Sequence, residues 1–142
     1  MSDSHSGQQA AFGRGLGVSA GDVLLVGLGG AVGSVVRYLA GLALPWEANA
    51  ATFAINVAGS LVLGLIVAGC AGRWPRLQLT LGTGFCGGFT TYSALAVGVA
   101  QLALTGDVAV ALLLALGTVV CAGIASLVGV WIGRRLSAGG AP

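Results

Sequence analysis

Residues 77–104 read LQLTLGTGFCGGFTTYSALAVGVAQLAL, an uncharged and largely apolar run interrupted near its middle by glycine, threonine and serine. A helix needs roughly 20 apolar residues to cross a hydrocarbon core of about 30 Å, and this run is long enough. Within it, Gly82-Thr-Gly-Phe-Cys-Gly-Gly-Phe-Thr-Thr-Tyr-Ser93 crowds together residues that weaken a helix. Glycine loses the most backbone entropy on ordering, and threonine hydroxyls compete for backbone groups. These residues leave two readings open. The helix breaks here, freeing amides and carbonyls at mid-membrane depth, which persists only against protein, water or an ion. The half-helix ends so created suit ion binding. Alternatively the helix is continuous and glycines such as Gly84 and Gly88 serve close packing. Gly82, Gly84 and Gly87 also match G-x-G-x-x-G, but a nucleotide loop needs a preceding strand and an aqueous setting, and neither is present.

Three more apolar runs surround this one. Residues 23–44 end at Pro45-Trp46-Glu47, residues 50–71 end at Gly72-Arg73-Trp74-Pro75-Arg76, and residues 108–133 end at Arg134-Arg135. Thr105-Gly106-Asp107 separates the third run from the fourth. Trp46, Trp74 and Trp131 fall at run ends, where indole rings favour the membrane interface. The fold class expected is an all-α integral membrane protein of four transmembrane helices. The composition agrees: 56% of the 142 residues are hydrophobic and 7% charged, against about a quarter charged in a soluble domain. The 26 glycines suit helices that approach closely in lipid. Residues 1–20 are polar and rich in glycine and serine, and read as a disordered cytoplasmic tail with no signal-peptide pattern. Residues 21–136 form the transmembrane domain, and 137–142 a C-terminal tail.

Charge gives an orientation. With four spans, Arg14, Arg73, Arg76, Arg134 and Arg135 share one side, while the loops on the other side carry Glu47 and Asp107 and no arginine. Both termini are therefore expected in the cytoplasm, in a multi-pass cell-membrane protein. A net charge of +2 without any lysine gives no basic patch, so no nucleic-acid partner is expected. Cys70, Cys86 and Cys121 show no metal-ligand spacing and read as small buried side chains. Asp22, Glu47 and Asp107 all lie at run ends. A proton-coupled exporter needs a carboxylate inside the membrane, which argues against that class. No nucleophile–base pair occurs in the spans, so an enzyme is not expected.

Polar residues inside the spans are few. Thr52, Asn56, Ser60 and Gly64 are each four apart and share one helical face. The Asn56 amide needs a partner in lipid: an interhelical hydrogen bond satisfies it, and so does a place on a pore wall. Arg37 is the one charge deep within a span, about two turns from the helix end. It can snorkel to the headgroups or lend positive potential to an anion vestibule. Thr118 and Ser126, eight apart, lie roughly on one face of the fourth run, with Gly129 and Gly133 beyond.

These segments resemble the Fluc (CrcB) family of fluoride-specific ion channels from about residue 23 to residue 135. Gly84-Phe-Cys-Gly-Gly-Phe-Thr-Thr-Tyr-Ser93 is close to the family's GFCGG-x-TTFS motif. Residues 29–38 resemble GG-x-x-G-x-x-x-R-[YW], and residues 52–60 resemble T-x-x-x-N-x-x-G-[AS]. The resemblance implies a third helix broken near the bilayer midplane and an antiparallel dimer with two narrow pores. It also implies one structural, non-permeating Na+ at the dimer centre, held by the backbone carbonyls of Gly87 and Thr90. By the same carry-over, Asn56 and Tyr92 are pore residues and Arg37 stands near an entrance. Hydroxyls and amides suit a small, strongly hydrated anion, which adds Thr52, Thr91, Ser93 and Ser126 to the expected ion pathway. The expected activity is passive, electrodiffusive fluoride export that lowers cytoplasmic fluoride.

The chain departs from the family pattern in three places. Two phenylalanines three apart on the third helix are replaced by Tyr92 and Leu95, and a tyrosine and serine on the fourth by Thr118 and Ala122. The arginine bias is also stronger than in members that insert both ways. These departures suggest a heterodimer with a related subunit of opposite orientation in which one pore is degenerate; a homodimer is the alternative. A small multidrug-type exporter and a non-transporting accessory subunit are the competing classes.

Overall fold

A computed structural model describes residues 19–138. The described residues are all-helical in their regular structure: α1 Ala20–Ala43, α2 Ala48–Cys70, α3 over 75–89, α4 Tyr92–Leu104 and α5 Val108–Ala138. Among the described residues four stretches are long and apolar enough to cross a membrane, Ala20–Ala43, Ala48–Cys70, Pro75–Leu104 and Val108–Ala138. The third of them is broken between α3 and α4. The tails expected at 1–20 and 137–142 lie almost entirely outside the described residues. Helix α5 continues through Arg134 and Arg135 to Ala138, beyond the end of its apolar run. There the Arg135 guanidinium sits 5.3 Å from the centre of the Trp131 ring.

Local chemistry explains the helix ends. Ser19 and Asp22 form a reciprocal capping box at the start of α1, with each backbone N–H bonded to the other side chain at 3.1 Å. Pro45 follows α1 closely, and Pro75 opens α3 at the position where a missing N–H costs nothing. Gly72 and Gly106 adopt φ of 70° and 93° in the turns after α2 and α4, a region other residues rarely enter. The connections are short, so consecutive spans run antiparallel.

Helix α3 is not uniform. After the turn Pro75–Leu77 it widens to a π-helix over Gln78–Cys86 and returns to α geometry over Gly87–Phe89. Such i→i+5 winding is rare and tends to occur at functional sites.

The helices pack mainly as two pairs, α1 with α3 and α2 with α5. Glycine permits both. A Cβ added at Gly29 would strike the Thr80 carbonyl, at Gly33 the Phe85 carbonyl, and at Gly88 the Gly30 carbonyl. On the other pair, a Cβ at Gly64 would strike the Ser126 carbonyl and one at Gly129 the Leu61 carbonyl. Lipid supplies no hydrophobic drive between helices, so close van der Waals contact of this kind holds the spans together. Most large apolar side chains, among them Leu113, Leu127 and Val119, face outward, as expected where the solvent is hydrocarbon.

Candidate functional site

The break is two residues wide. Thr90 (φ −76°, ψ 156°) and Thr91 (φ −145°, ψ 118°) are extended between two helices. It therefore lies at the threonine pair, whereas the glycines at 82, 84, 87 and 88 remain helical.

One side chain holds the extended stretch. Asn56, buried on α2, accepts from the Thr91 N–H at 2.7 Å through Oδ1 and donates from Nδ2 to the Thr91 carbonyl at 3.0 Å. In a continuous helix the Thr91 N–H would bond the Gly87 carbonyl, and the Ala94 N–H the Thr90 carbonyl. Here the Ala94 N–H bonds the Thr91 hydroxyl at 3.2 Å, making Thr91 the N-cap of α4. The carbonyls of Gly87 and Thr90 are thus released from their helical partners. Gly59 lets the break lie directly on α2: a Cβ there would come within 2.9 Å of the Phe89 ring and closer still to the Thr90 methyl.

The upstream end is held from α1. Arg37 Nε donates to the Gly88 carbonyl at 3.2 Å, and the Ser34 hydroxyl reaches the same oxygen at 3.4 Å. A cation at the carbonyl end of a helix is electrostatically favourable. The Thr90 N–H and hydroxyl both donate to the Cys86 carbonyl at 2.9 Å. Two placements are open for Arg37 from the sequence, the headgroups or an anion vestibule; its Nε bonds a backbone carbonyl, which neither reading anticipates, and the residue lines a cleft beside the break. Its remaining guanidinium nitrogens are free to face the neighbouring cleft. Of the two readings open for Asn56, the interhelical hydrogen bond is present, and its acceptor and donor both engage backbone.

Two clefts flank the break. One, of about 450 Å³, lies between α1, α2 and α4 and is lined by Arg37, Tyr38, Trp46, Thr52 and Thr91 among others. The other, of about 210 Å³, lies between α2, α4 and α5 and includes Asn56, Ser60, Thr90, Thr91 and Tyr92. Thr91 belongs to both walls. Ser93 joins the group through a 3.2 Å hydroxyl–hydroxyl hydrogen bond to Thr91. Gly87 lies on the outer surface of the chain and Ser126 packs its carbonyl toward Gly64; neither lines these clefts. Tyr92 is 83% exposed and so faces mostly away from its own chain.

The residues that depart from the family pattern converge on the smaller cleft. Leu95, Thr118 and Ala122 all line it. Thr118 is buried and its hydroxyl donates to the Leu114 carbonyl of its own helix at 2.6 Å. Sequence reasoning assigned no role to Ser34, nor to Gly59 beyond its place in the motif of residues 52–60. Ser34 was within reach, because it precedes Arg37 by three and so shares its helical face. The role of Gly59 depends on which side chain of another helix lies above it, which local sequence does not show.

Comparison with known proteins fits this geometry. Residues 24–133 match the family described as CrcB-like protein, Camphor Resistance (CrcB). The chain is 38% identical over 125 residues to a fluoride-specific ion channel FluC of Chelativorans sp. (strain BNC1), covering 80% of this chain and 97% of that protein. It is 40% identical over 117 residues to a fluoride-specific ion channel FluC 2 of Bacillus licheniformis, covering 78% and 85%. A FluC 2 of Natronomonas pharaonis is 40% identical over 113 residues, covering 80% and 95%. These relatives are named as channels, not enzymes. With the family's match spanning all four helices and the break between α3 and α4, the chain belongs to the CrcB family.

Proposed function

We propose that the chain is a subunit of a fluoride-specific channel that lets fluoride leave the cell passively. The observation that carries this reading is the position of Thr91. It is an extended residue at mid-span that lines both the Arg37 cleft and the Asn56 cleft, so one polar wall joins the two cavities. Fluoride is small and strongly hydrated, so a path for it must offer donors in place of water. The free guanidinium nitrogens of Arg37, the hydroxyls of Thr52, Thr91, Ser93 and Ser60, and the second Nδ2 hydrogen of Asn56 are such donors. Ser126, expected on the same path from the sequence, lies outside both clefts. Aromatic edges carry partial positive charge, which gives Tyr92 a part at the surface it presents. Fluoride enters cells as the neutral acid and ionises inside, so a passive route lowers its cytoplasmic level.

The carbonyls of Gly87 and Thr90 fit the structural Na+ that the family resemblance implies. They are neutral, hard oxygens, and the break has removed their helical partners. Bound there, the cation would supply a fixed positive charge beside an anion path. One chain offers too few of these oxygens to surround an ion, and Gly87 is exposed. Both points support a two-fold arrangement in which an antiparallel partner brings the same carbonyls from the other side. We place both termini in the cytoplasm, on the arginine distribution. A related subunit of opposite orientation is the favoured partner, because the donor-poor residues Leu95 and Ala122 sit in the smaller cleft.

The test is fluoride efflux from liposomes loaded with potassium fluoride, followed with a fluoride electrode. Release that begins only when valinomycin allows potassium to follow identifies an electrodiffusive channel. Release that requires a proton gradient instead would show an exporter. If neither the chain alone nor the chain with a related subunit releases fluoride, the channel reading is wrong; release only from the pair shows that the partner is required.

A further inference from the structure

The Asn56 amide makes two hydrogen bonds to a single residue of another helix, and this arrangement has mechanical consequences. Its oxygen takes the Thr91 N–H and its nitrogen serves the Thr91 carbonyl, at 2.7 and 3.0 Å. The side chain thereby does what a neighbouring peptide group would do in a sheet: it satisfies both backbone groups of an extended residue. At membrane depth an unsatisfied amide or carbonyl is costly, so an extended residue there needs partners for both groups. Asn56 thus gives the extended Thr91 a partner for the N–H that the helix would have bonded to the Gly87 carbonyl.

We propose that Asn56 is a positioning residue, a latch that keeps the third span open and acts on the ion path through the backbone of Thr91. Three features depend on that latch. The Gly87 carbonyl is free because its natural donor, the Thr91 N–H, is engaged by Asn56. The Thr91 hydroxyl caps α4 through the Ala94 N–H and meets Ser93 Oγ only while Thr91 is extended. The shared wall between the two clefts is Thr91 itself. Two of the amide's three hydrogen-bonding groups are used in holding the break, which leaves one N–H for any ion. Asn56 is buried and Gly59, one turn on, carries no side chain, so α2 presents the amide at the height of the break with the threonine pair lying on it. Without the latch, the Thr91 N–H can return to the Gly87 carbonyl and the span can close toward a continuous helix.

The inference rests on the channel reading above for its flux measurement but has a readout independent of it. In the reconstituted protein, Thr91 is replaced by its α-hydroxy acid, which converts the amide to an ester and removes the N–H while leaving Asn56 intact. Fluoride efflux is then compared for the unmodified chain, the ester, Asn56→Ala and the double variant, each with whatever partner the unmodified chain needs. The ester and Asn56→Ala are each expected to lower efflux by about ten-fold or more, and the double variant no further than either. Full efflux from the ester together with loss in Asn56→Ala would show that Asn56 acts by touching the ion alone. Full efflux from both single variants would remove the latch altogether. The second readout uses the unmodified chain in bilayers, by hydrogen–deuterium exchange resolved to single residues. The Thr91 amide should exchange slowly, and Asn56→Ala should either speed it or shift its signal toward that of a helical amide. A Thr91 amide that exchanges as fast as the turn amide of Gly106 overturns the proposal even if no variant folds. If the unmodified chain carries no fluoride under any condition, the channel reading fails while the exchange result still decides the latch.

Discussion

Arg37 on α1 and Gly88 on α3 are joined by a hydrogen bond from the guanidinium Nε to a carbonyl at 3.2 Å, two residues ahead of the break. The contact exists because Gly88, lacking a Cβ, lets its backbone touch that of Gly30. A charged donor on a carbonyl in a poorly solvated site is worth about 1.5–3 kcal/mol, and Arg37→Ala should lose stability of that order. Unfolding in mixed detergent measures it. Arg37→Lys keeps the charge but not the planar Nε–H, so it should recover only part of the stability. Equal stability of the lysine variant and the parent would show that charge alone matters.

The α2–α5 contact should be equally sensitive to size. Gly64 and Gly129 each face a carbonyl of the other helix, so Gly129→Ala should cost roughly 1–3 kcal/mol by forcing the pair apart. Gly117 and Gly123 lie on the same helix with nothing of this chain near the position of a Cβ. Alanine there should be neutral, or stabilising by up to about 1 kcal/mol through helix propensity, in the detergent unfolding of the isolated chain.

Thr91→Val keeps the shape of the side chain and removes the hydroxyl that caps α4. The expected loss is about 1 kcal/mol, in line with N-caps elsewhere. Fluoride efflux should fall as well, because the same hydroxyl lines both clefts. A variant that loses stability but conducts normally would separate the cap from the path.

Leu95→Phe combined with Ala122→Ser returns two cleft positions to the residue types the family pattern carries. If the chain's own cleft is the degenerate one, this pair should raise efflux from the chain alone by about ten-fold or more, read in the valinomycin assay. No gain, with the protein still folded, would place the limitation elsewhere, as in Thr118, whose hydroxyl is turned to its own helix.

The four spans could be read from the chain because hydropathy is a local property, whereas the helix-weakening residues of the third left a break and a continuous helix both open, and only the family resemblance implied the break. Where the interruption falls could not be read. Gly84 and Gly88 weaken a helix in isolation, yet they stay helical where they pack on the α1 backbone at Gly29 and Gly30. Thr90 and Thr91 break instead because Asn56, 35 residues earlier, outbids the helix for the Thr91 backbone. The same reasoning explains Arg37: a guanidinium near a helix end has two ordinary destinations, and a third appears only once Gly88 is known to lie beside it. The π-helical stretch Gln78–Cys86 left no recognisable mark in residue pattern.

The turns between spans are brief: four residues separate α1 from α2 and three separate α4 from α5. Such a molecule has almost no body outside the lipid on the faces those turns occupy. Proteases and antibodies have little to grip there, and an epitope or fluorescent tag spliced into either turn would pull on helices that cannot yield.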